Sequence, residues 1–239
     1  MKKIRLGVNI DHVATVRNAR GESYPSPLRA AIIAEKCGAH SVTIHLREDR
    51  RHIKDSDLKE IKLKLKIPLN LEIAATNEML KIATRHKPKY VCIVPEKRKE
   101  VTTEGGLNLS YKKIFLKKII TKLKKNSRVS LFIEPSIKDI KTSKELGVDG
   151  IEFHTGRICN LINQKKSFKQ ELSKISKAVN YATDLGIDVH AGHGLTYKSA
   201  KIISKIKKIK EFNIGHFLIG DSIYIGLPAA IKKFQKILK

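Results

Sequence analysis

Two hydrophobic periods alternate along the chain. Short apolar, β-branched runs recur at residues 6–10, 42–45, 69–72, 90–94, 128–133, 150–154, 187–191 and 212–214. Runs of this length suit strands covered on both faces, as in a parallel sheet. Stretches with apolar residues at helical spacing separate them. They predict a short turn of helix over 11–18 and helices starting at 27, 55 and 77. Further helices are predicted up to about 125 and over 137–146, 168–185 and 196–206. A short helical turn over 217–225 and a final helix from 227 close the chain. Ser26 with Pro27, and Thr76, have the chemistry of helix starts, whereas Gly38, Gly147 and Gly186 have that of stops. Strand-then-helix repeated eight times predicts an α/β fold, a (β/α)8 or TIM barrel with additional short helices. No linker-like tract divides residues 1–239, so a single domain is expected. An open doubly wound sheet is disfavoured, because Gly7-Val8-Asn9-Ile10-Asp11 after the chain start is no glycine-rich phosphate turn.

Composition narrows the function. The formal charge of +26 suggests nucleic acid as a partner. The lysines, however, are spread along predicted helix faces, aromatics are only 5% and Trp is absent, so a base-stacking platform is poorly supplied. Nucleic acid is not expected. No apolar run approaches the ~18–20 residues that span a bilayer, so no membrane partner is expected either. The N-terminus lacks a signal-like apolar segment, and Cys37, Cys92 and Cys159 have no paired spacing. Free thiols and a cytoplasmic location are the expectation.

In such a barrel the chemistry belongs at the C-terminal ends of the strands. Asn9, Asp11 and His12 follow the first strand, and His45, Arg47 and His52 the second. Glu72 ends the third, Glu152 and His154 the sixth. His193 lies between Gly192 and Gly194 after the seventh, and Asn213, Gly215 and His216 mark the eighth. Of nine histidines, only His40 and His86 are placed clearly elsewhere. Glu72, among apolar neighbours, reads as a general base. Glu152 reads equally as an orienting group, Arg47 and His52 as phosphate ligands or surface pairs, and His154 as support. Gly192-His193-Gly194, and Asn213-Ile214-Gly215-His216 before a short helix, fit a phosphate held by backbone N–H groups. No metal is expected, since there is no HExxH, HxH or cysteine cluster. The long polar stretch 96–106 reads as a lid.

Several segments carry a resemblance in order along the chain. They include Gly7-Val8-Asn9-Ile10-Asp11-His12, Arg17-Asn18-Ala19-Arg20-Gly21, His45-Leu46-Arg47-Glu48-Asp49-Arg50-Arg51-His52-Ile53 and Asn70-Leu71-Glu72. Val94-Pro95-Glu96-Lys97-Arg98, Val101-Thr102-Thr103-Glu104-Gly105-Gly106-Leu107, Glu152-Phe153-His154-Thr155-Gly156 and Ala191-Gly192-His193-Gly194-Leu195-Thr196-Tyr197 continue it. Together they resemble the pyridoxine 5′-phosphate synthase family of vitamin B6 biosynthesis. The resemblance implies a homo-octameric barrel and a transferase-type condensation of two small phosphate substrates, 1-deoxy-D-xylulose 5-phosphate and 3-amino-2-oxopropyl phosphate. No organic cofactor or metal is implied. It implies that Asn9, Arg20, Gly194, Gly215 and His216 hold the aminoketone phosphate, and that Asp11, His12, Arg47, His52 and Thr102 hold the sugar phosphate. His45 and Glu72 would accept protons, His193 would donate one and Glu152 would stabilise transition states. Two positions depart from the family pattern: His190 stands where Asn is expected, and Gly220-Asp221-Ser222 where Gly-Arg-Ala is. Two other classes compete, a phosphosugar isomerase using one substrate and a basic nucleic-acid-binding protein.

Overall fold

The computed structural model describes residues 3–96, 105–110 and 113–239. Thr102 and most of the expected lid lie outside them. The strands are β1 (Arg5–Asn9), β2 (Ser41–His45), β3 (Leu69–Ile73), β4 (Tyr90–Ile93), β5 (Arg128–Ile133), β6 (Gly150–His154), β7 (Asp188–Gly192) and β8 (Glu211–Ile214). They form a closed parallel barrel in sequence order, sealed by pairing of β1 with β8. The helices described are α1 (Asp11–Arg20), α2 (Pro27–Lys36), α3 (Asp55–Lys64), α4 (Asn77–His86), α5 (Lys113–Leu123) and α6 (Ile137–Leu146). The chain ends with α7 (Gly156–Asn163), α8 (Lys169–Asp184), α9 (Tyr197–Ile203), α10 (His216–Ile225) and α11 (Leu227–Ile237).

Strand alternation separates two interiors. Outward residues such as Val8, Ile44, Leu71, Leu131, Phe153 and Phe212 join helix residues in the continuous apolar core. Inside the barrel, Cys92, Val94 and Phe132 form only a small apolar cluster. The rest of the lumen is polar. Asn70 Nδ2 donates to Thr43 Oγ1 (3.3 Å), which donates to Asn213 Oδ1 (3.3 Å), and Asn213 Nδ2 donates to Glu152 Oε2 (2.5 Å). This ladder needs room that two glycines leave. A Cβ at Gly7 would sit 2.0 Å from Asn213 Oδ1, and one at Gly192 would sit 1.9 Å from Glu152 Oε1.

The structure differs from the expected elements in two places. α1 runs a full ten residues rather than one short turn, ending at Gly21 in the left-handed conformation. Its extra length is held by Arg17, whose guanidinium donates to both Asp57 oxygens (2.6 and 2.9 Å) at the start of α3. α7 was not anticipated. It buries Ile158, Cys159 and Ile162 on one face, a spacing hidden by the strand signal that runs into it. The expected caps are present: the Ser26 and Thr76 side chains accept from Arg29 N and Met79 N.

Candidate active site

The C-terminal mouth is built from hydrogen-bonded pairs rather than isolated groups. After β1, Asn9 Nδ2 donates to Asp11 Oδ2 (2.9 Å) and Asn9 Oδ1 accepts from Asp11 N (3.0 Å). The other Asp11 oxygen accepts from His45 N at the end of β2 (2.8 Å). The His45 ring meets the buried Glu96 carboxylate, with 2.8 Å between Nε2 and Oε1. His52 lies 5.9 Å from His45, ring to ring, and its Nδ1 accepts from Ile53 N (2.9 Å). Its carbonyl accepts from Arg17 and Asn18 of α1. Arg47 is buried, with Nε directed at Asp49 (3.3 Å). Asp49 also accepts from Arg51, and Arg50 binds Asp55 and Glu78 at the starts of α3 and α4.

Across the mouth, the Glu134 carboxylate lies 2.9 Å from His154 Nδ1, and the His154 ring packs 4.9 Å from that of His193. His193 has a φ of 75°, unusual for a residue with a Cβ, and Gly194 follows at 77°. This strained pair is fixed from below, where Thr155 Oγ1 donates to the Gly192 and His193 carbonyls. On the β8 side His216 lies 4.8 Å from His12, ring to ring. Asn9 packs so close to Gly215 that a Cβ there would approach it within 3.0 Å. Helices α1, α7 and α10 all begin within two residues of their strand ends. Their N-terminal, positive dipole ends thus lie at the C-terminal ends of the strands, a setting that favours anions, although Asp11 N of α1 is already taken by Asn9 Oδ1.

Burial sets the electrostatics. Glu72 has no side-chain hydrogen-bond partner among the described residues. Desolvation, then the charges of Glu152 and Asp11, pushes it well above the usual carboxylate range. Glu152 is 2% exposed. Desolvation pushes it to about 8, with the Asn213 hydrogen bond opposing and Glu211 adding. Glu152 therefore keeps its proton at neutral pH, and Glu72 is shifted in the same direction. His193 is lowered to about 4 by burial and by His154, His12 and His216. His12 and His52 are also lowered, chiefly by burial, and the buried His12 Nδ1 has no hydrogen-bond partner among the described residues. Burial thus disfavours the charged forms of Glu72, Glu152, His12, His52 and His193 alike.

Most sequence-predicted residues therefore meet at one mouth: Asn9, Asp11, His12, His45, Arg47, His52, Glu72, Glu152, His193, Gly194, Gly215 and His216. Arg20 does not join them. It lies exposed at the far end of α1, with no partner among the described residues. His190 was grouped with the site histidines, but it faces the opposite, N-terminal end of the barrel. There it pairs in register with Glu211 and approaches Arg5 (3.4 Å) in a cavity of about 260 Å³. Asp221 turns to Tyr197, whose hydroxyl donates to it (2.7 Å). Glu134 and Glu96 were not singled out as site residues by sequence reasoning. Their only signal is a carboxylate one or three residues past a strand, which many surface loops share. Among the described residues no group of three or more His, Cys, Asp or Glu side chains could hold a metal ion. No described helix is long and apolar enough to cross a membrane.

Comparison with known proteins speaks to the fold and the family. Among solved structures, KGPDC from Streptococcus mutans superposes with a TM-score of 0.68 at 11% identity, covering 99% of this chain and 98% of its own. At that identity the likeness speaks for the barrel fold alone. Closer in sequence are pyridoxine 5′-phosphate synthase of Pelagibacter ubique and that of Zymomonas mobilis. The first is 59% identical, covering 98% of both chains; the second is 52% identical, covering 99% of this chain and 92% of the relative. The family model for pyridoxal phosphate biosynthesis protein PdxJ matches residues 6–239. A barrel whose mouth gathers these acids, imidazoles and helix N-termini, matched across nearly its whole length, is an enzyme that belongs to the PdxJ family.

Proposed function

We propose that the enzyme condenses 3-amino-2-oxopropyl phosphate with 1-deoxy-D-xylulose 5-phosphate to pyridoxine 5′-phosphate, releasing phosphate and water. The observation that carries this reading is the gathering of two carboxyls of raised pKa, Glu72 and Glu152, and five histidines, His12, His45, His52, His193 and His216, at one mouth ringed by helix N-termini. Amine attack on a ketone, dehydration, phosphate elimination and ring closure each move a proton. Several positioned acid–base groups, each contributing roughly 10²–10⁴-fold, serve such a sequence.

The charge states suit the order of events. The aminoketone arrives as an ammonium, and a cation beside Glu72 lowers the pKa of that carboxyl. As its carboxylate, Glu72 takes a proton from the ammonium and frees the amine for attack, and burial suits it to hold that proton. Its phosphate is held by Asn9, Gly194, Gly215 and His216, with Arg20 reaching in from a neighbouring copy, and the anion raises the pKa of neighbouring His193, making it a proton donor. Asp11, His12, Arg47, His52 and Thr102 hold the sugar phosphate. His45 accepts a second proton, and Glu152 stabilises transition states. The substrate supplies the amine for the imine, so neither a protein lysine nor an organic cofactor is required.

The enzyme works as a single domain in the cytoplasm, without nucleic acid, and assembles as a homo-octamer. Self-association is supported by apolar side chains left exposed on neighbouring α1 and α10: Val16, Ile223, Tyr224 and Ile225. Phosphate release from each substrate alone and from the pair tests the reaction. Release that needs both substrates is expected. Release or conversion with the sugar phosphate alone would instead mark an isomerase or phosphatase.

A further inference from the structure

The segment Val94-Pro95-Glu96 follows β4 and enters the site without a role in the reaction as proposed above. Glu96 is not a bystander there. Its side chain and that of His45 are 5% and 7% exposed. Glu96 Oε1 lies 2.8 Å from His45 Nε2, and Oε2 accepts from Glu48 N at 3.1 Å. Both oxygens are thus engaged, which fixes the carboxylate plane. His45 is held from two directions, its backbone N–H by Asp11 and its ring by Glu96.

A carboxylate can only accept, so the Nε2 position of a neutral His45 must carry its hydrogen toward Glu96. Nδ1 then keeps its lone pair, and no described residue occupies it. We propose that Glu96 is a positioning residue that makes His45 a base through Nδ1, by fixing its tautomer and stabilising the imidazolium formed when His45 takes a proton. A buried carboxylate is effective in this because little water screens the pair. Burial alone would raise the Glu96 carboxyl, but its bonds to His45 and Glu48 outweigh burial and hold it below the usual range. That keeps it ionised at neutral pH. The assignment rests on the condensation reading for His45's task, and on geometry alone for its tautomer.

Other charges also face the ring. Asp11 binds the His45 backbone, Glu72 is its register partner on β3, and His52 lies 5.9 Å away; Arg47 is two residues along the chain. Burial disfavours the charged forms of both Glu72 and His52, and Asp11, Arg47 and Glu96 complete the set around the ring. Among these only Glu96 touches the ring.

The test compares wild type, Glu96→Gln and Glu96→Ala in two measurements. Steady-state kinetics across pH is the first. Glu96→Gln keeps the acceptor oxygen but loses the charge. Its kcat is expected to fall about 10–100-fold, with KM for either substrate changed less than about twofold. The acidic limb of the kcat profile is expected to move to lower pH, because an imidazolium without its carboxylate is more acidic. The second measurement, ¹⁵N correlation NMR of the His45 imidazole, needs no turnover. Wild type is expected to show hydrogen on Nε2 and a free Nδ1, a preference that weakens in Glu96→Ala. A wild-type ring with its hydrogen on Nδ1 overturns the proposal, as does Glu96→Gln with unchanged kcat and an unmoved acidic limb. If wild type makes no product, the condensation reading fails, while the NMR result still decides the His45–Glu96 assignment. If Glu96→Ala does not fold, the isosteric Gln variant carries the decision.

Discussion

Glu72 and Glu152 sit where water is scarce and like charges crowd, so their task and their stability cost have one origin. Glu72→Gln and His193→Ala leave the polar ladder intact. Both are expected to fold with wild-type circular dichroism and to lose on the order of 10²–10⁴-fold in kcat. Near-wild-type turnover in either would remove that residue from the chemistry. Glu152 also makes a prediction about stability. Its folded pKa of about 8 lies above the 4.5 of an ordinary glutamate, so the folded protein keeps a proton that the unfolded chain has released. The contribution is fully present below the lower value and is lost as pH rises through the higher one. Replacing it with Gln removes that dependence. Between about pH 5 and about pH 9, Tm of Glu152→Gln is expected to fall less than that of wild type, as calorimetry across pH would show.

At the scale of elements, the site depends on how strands and helices are joined. The buried Arg17–Asp57 pair ties α1, which begins at the site, to α3. Arg17→Ala strands Asp57 without its partner and is expected to cost about 3 kcal/mol in urea unfolding. Gly192→Ala drives a methyl into Glu152, and a loss of about 1–3 kcal/mol is expected from overpacking. The eight strands and the caps at Ser26, Thr76 and Gly147 were legible in the sequence, because local period and cap chemistry determine them. The clustering of His45, Glu72, Glu152 and His193 was legible too, because a parallel barrel brings all strand ends to one face. What escaped was set by tertiary packing. His190 shares the alphabet of the site but stands in register with Glu211, the first residue of β8, and meets Arg5 at the other end of the barrel. The charges Glu48–Arg51 looked like either a solvated loop or a brace. Arg50 braces α3 and α4, while Asp49 joins Arg47 to Arg51.

For the whole molecule, the +26 charge and the exposed apolar patch point to different partners. The patch, with Tyr224 86% exposed, favours a second copy of the chain. Sedimentation should give one species about eight times the 27.0 kDa chain mass. Tyr224→Glu should shift it to smaller species without unfolding the barrel. Arg20, exposed at the far end of α1, is the residue whose role depends most on that assembly. The central claim is that one mouth, with Glu72 as its proton acceptor, joins two phosphates into a pyridine ring. Mass-spectrometric detection of pyridoxine 5′-phosphate tests it most directly, using wild type and Glu72→Gln with each substrate alone and with both. The account predicts product only when both substrates meet the wild-type enzyme, and on the order of 100-fold less from Glu72→Gln. No product from the wild-type mixture, or undiminished product from Glu72→Gln, would contradict it.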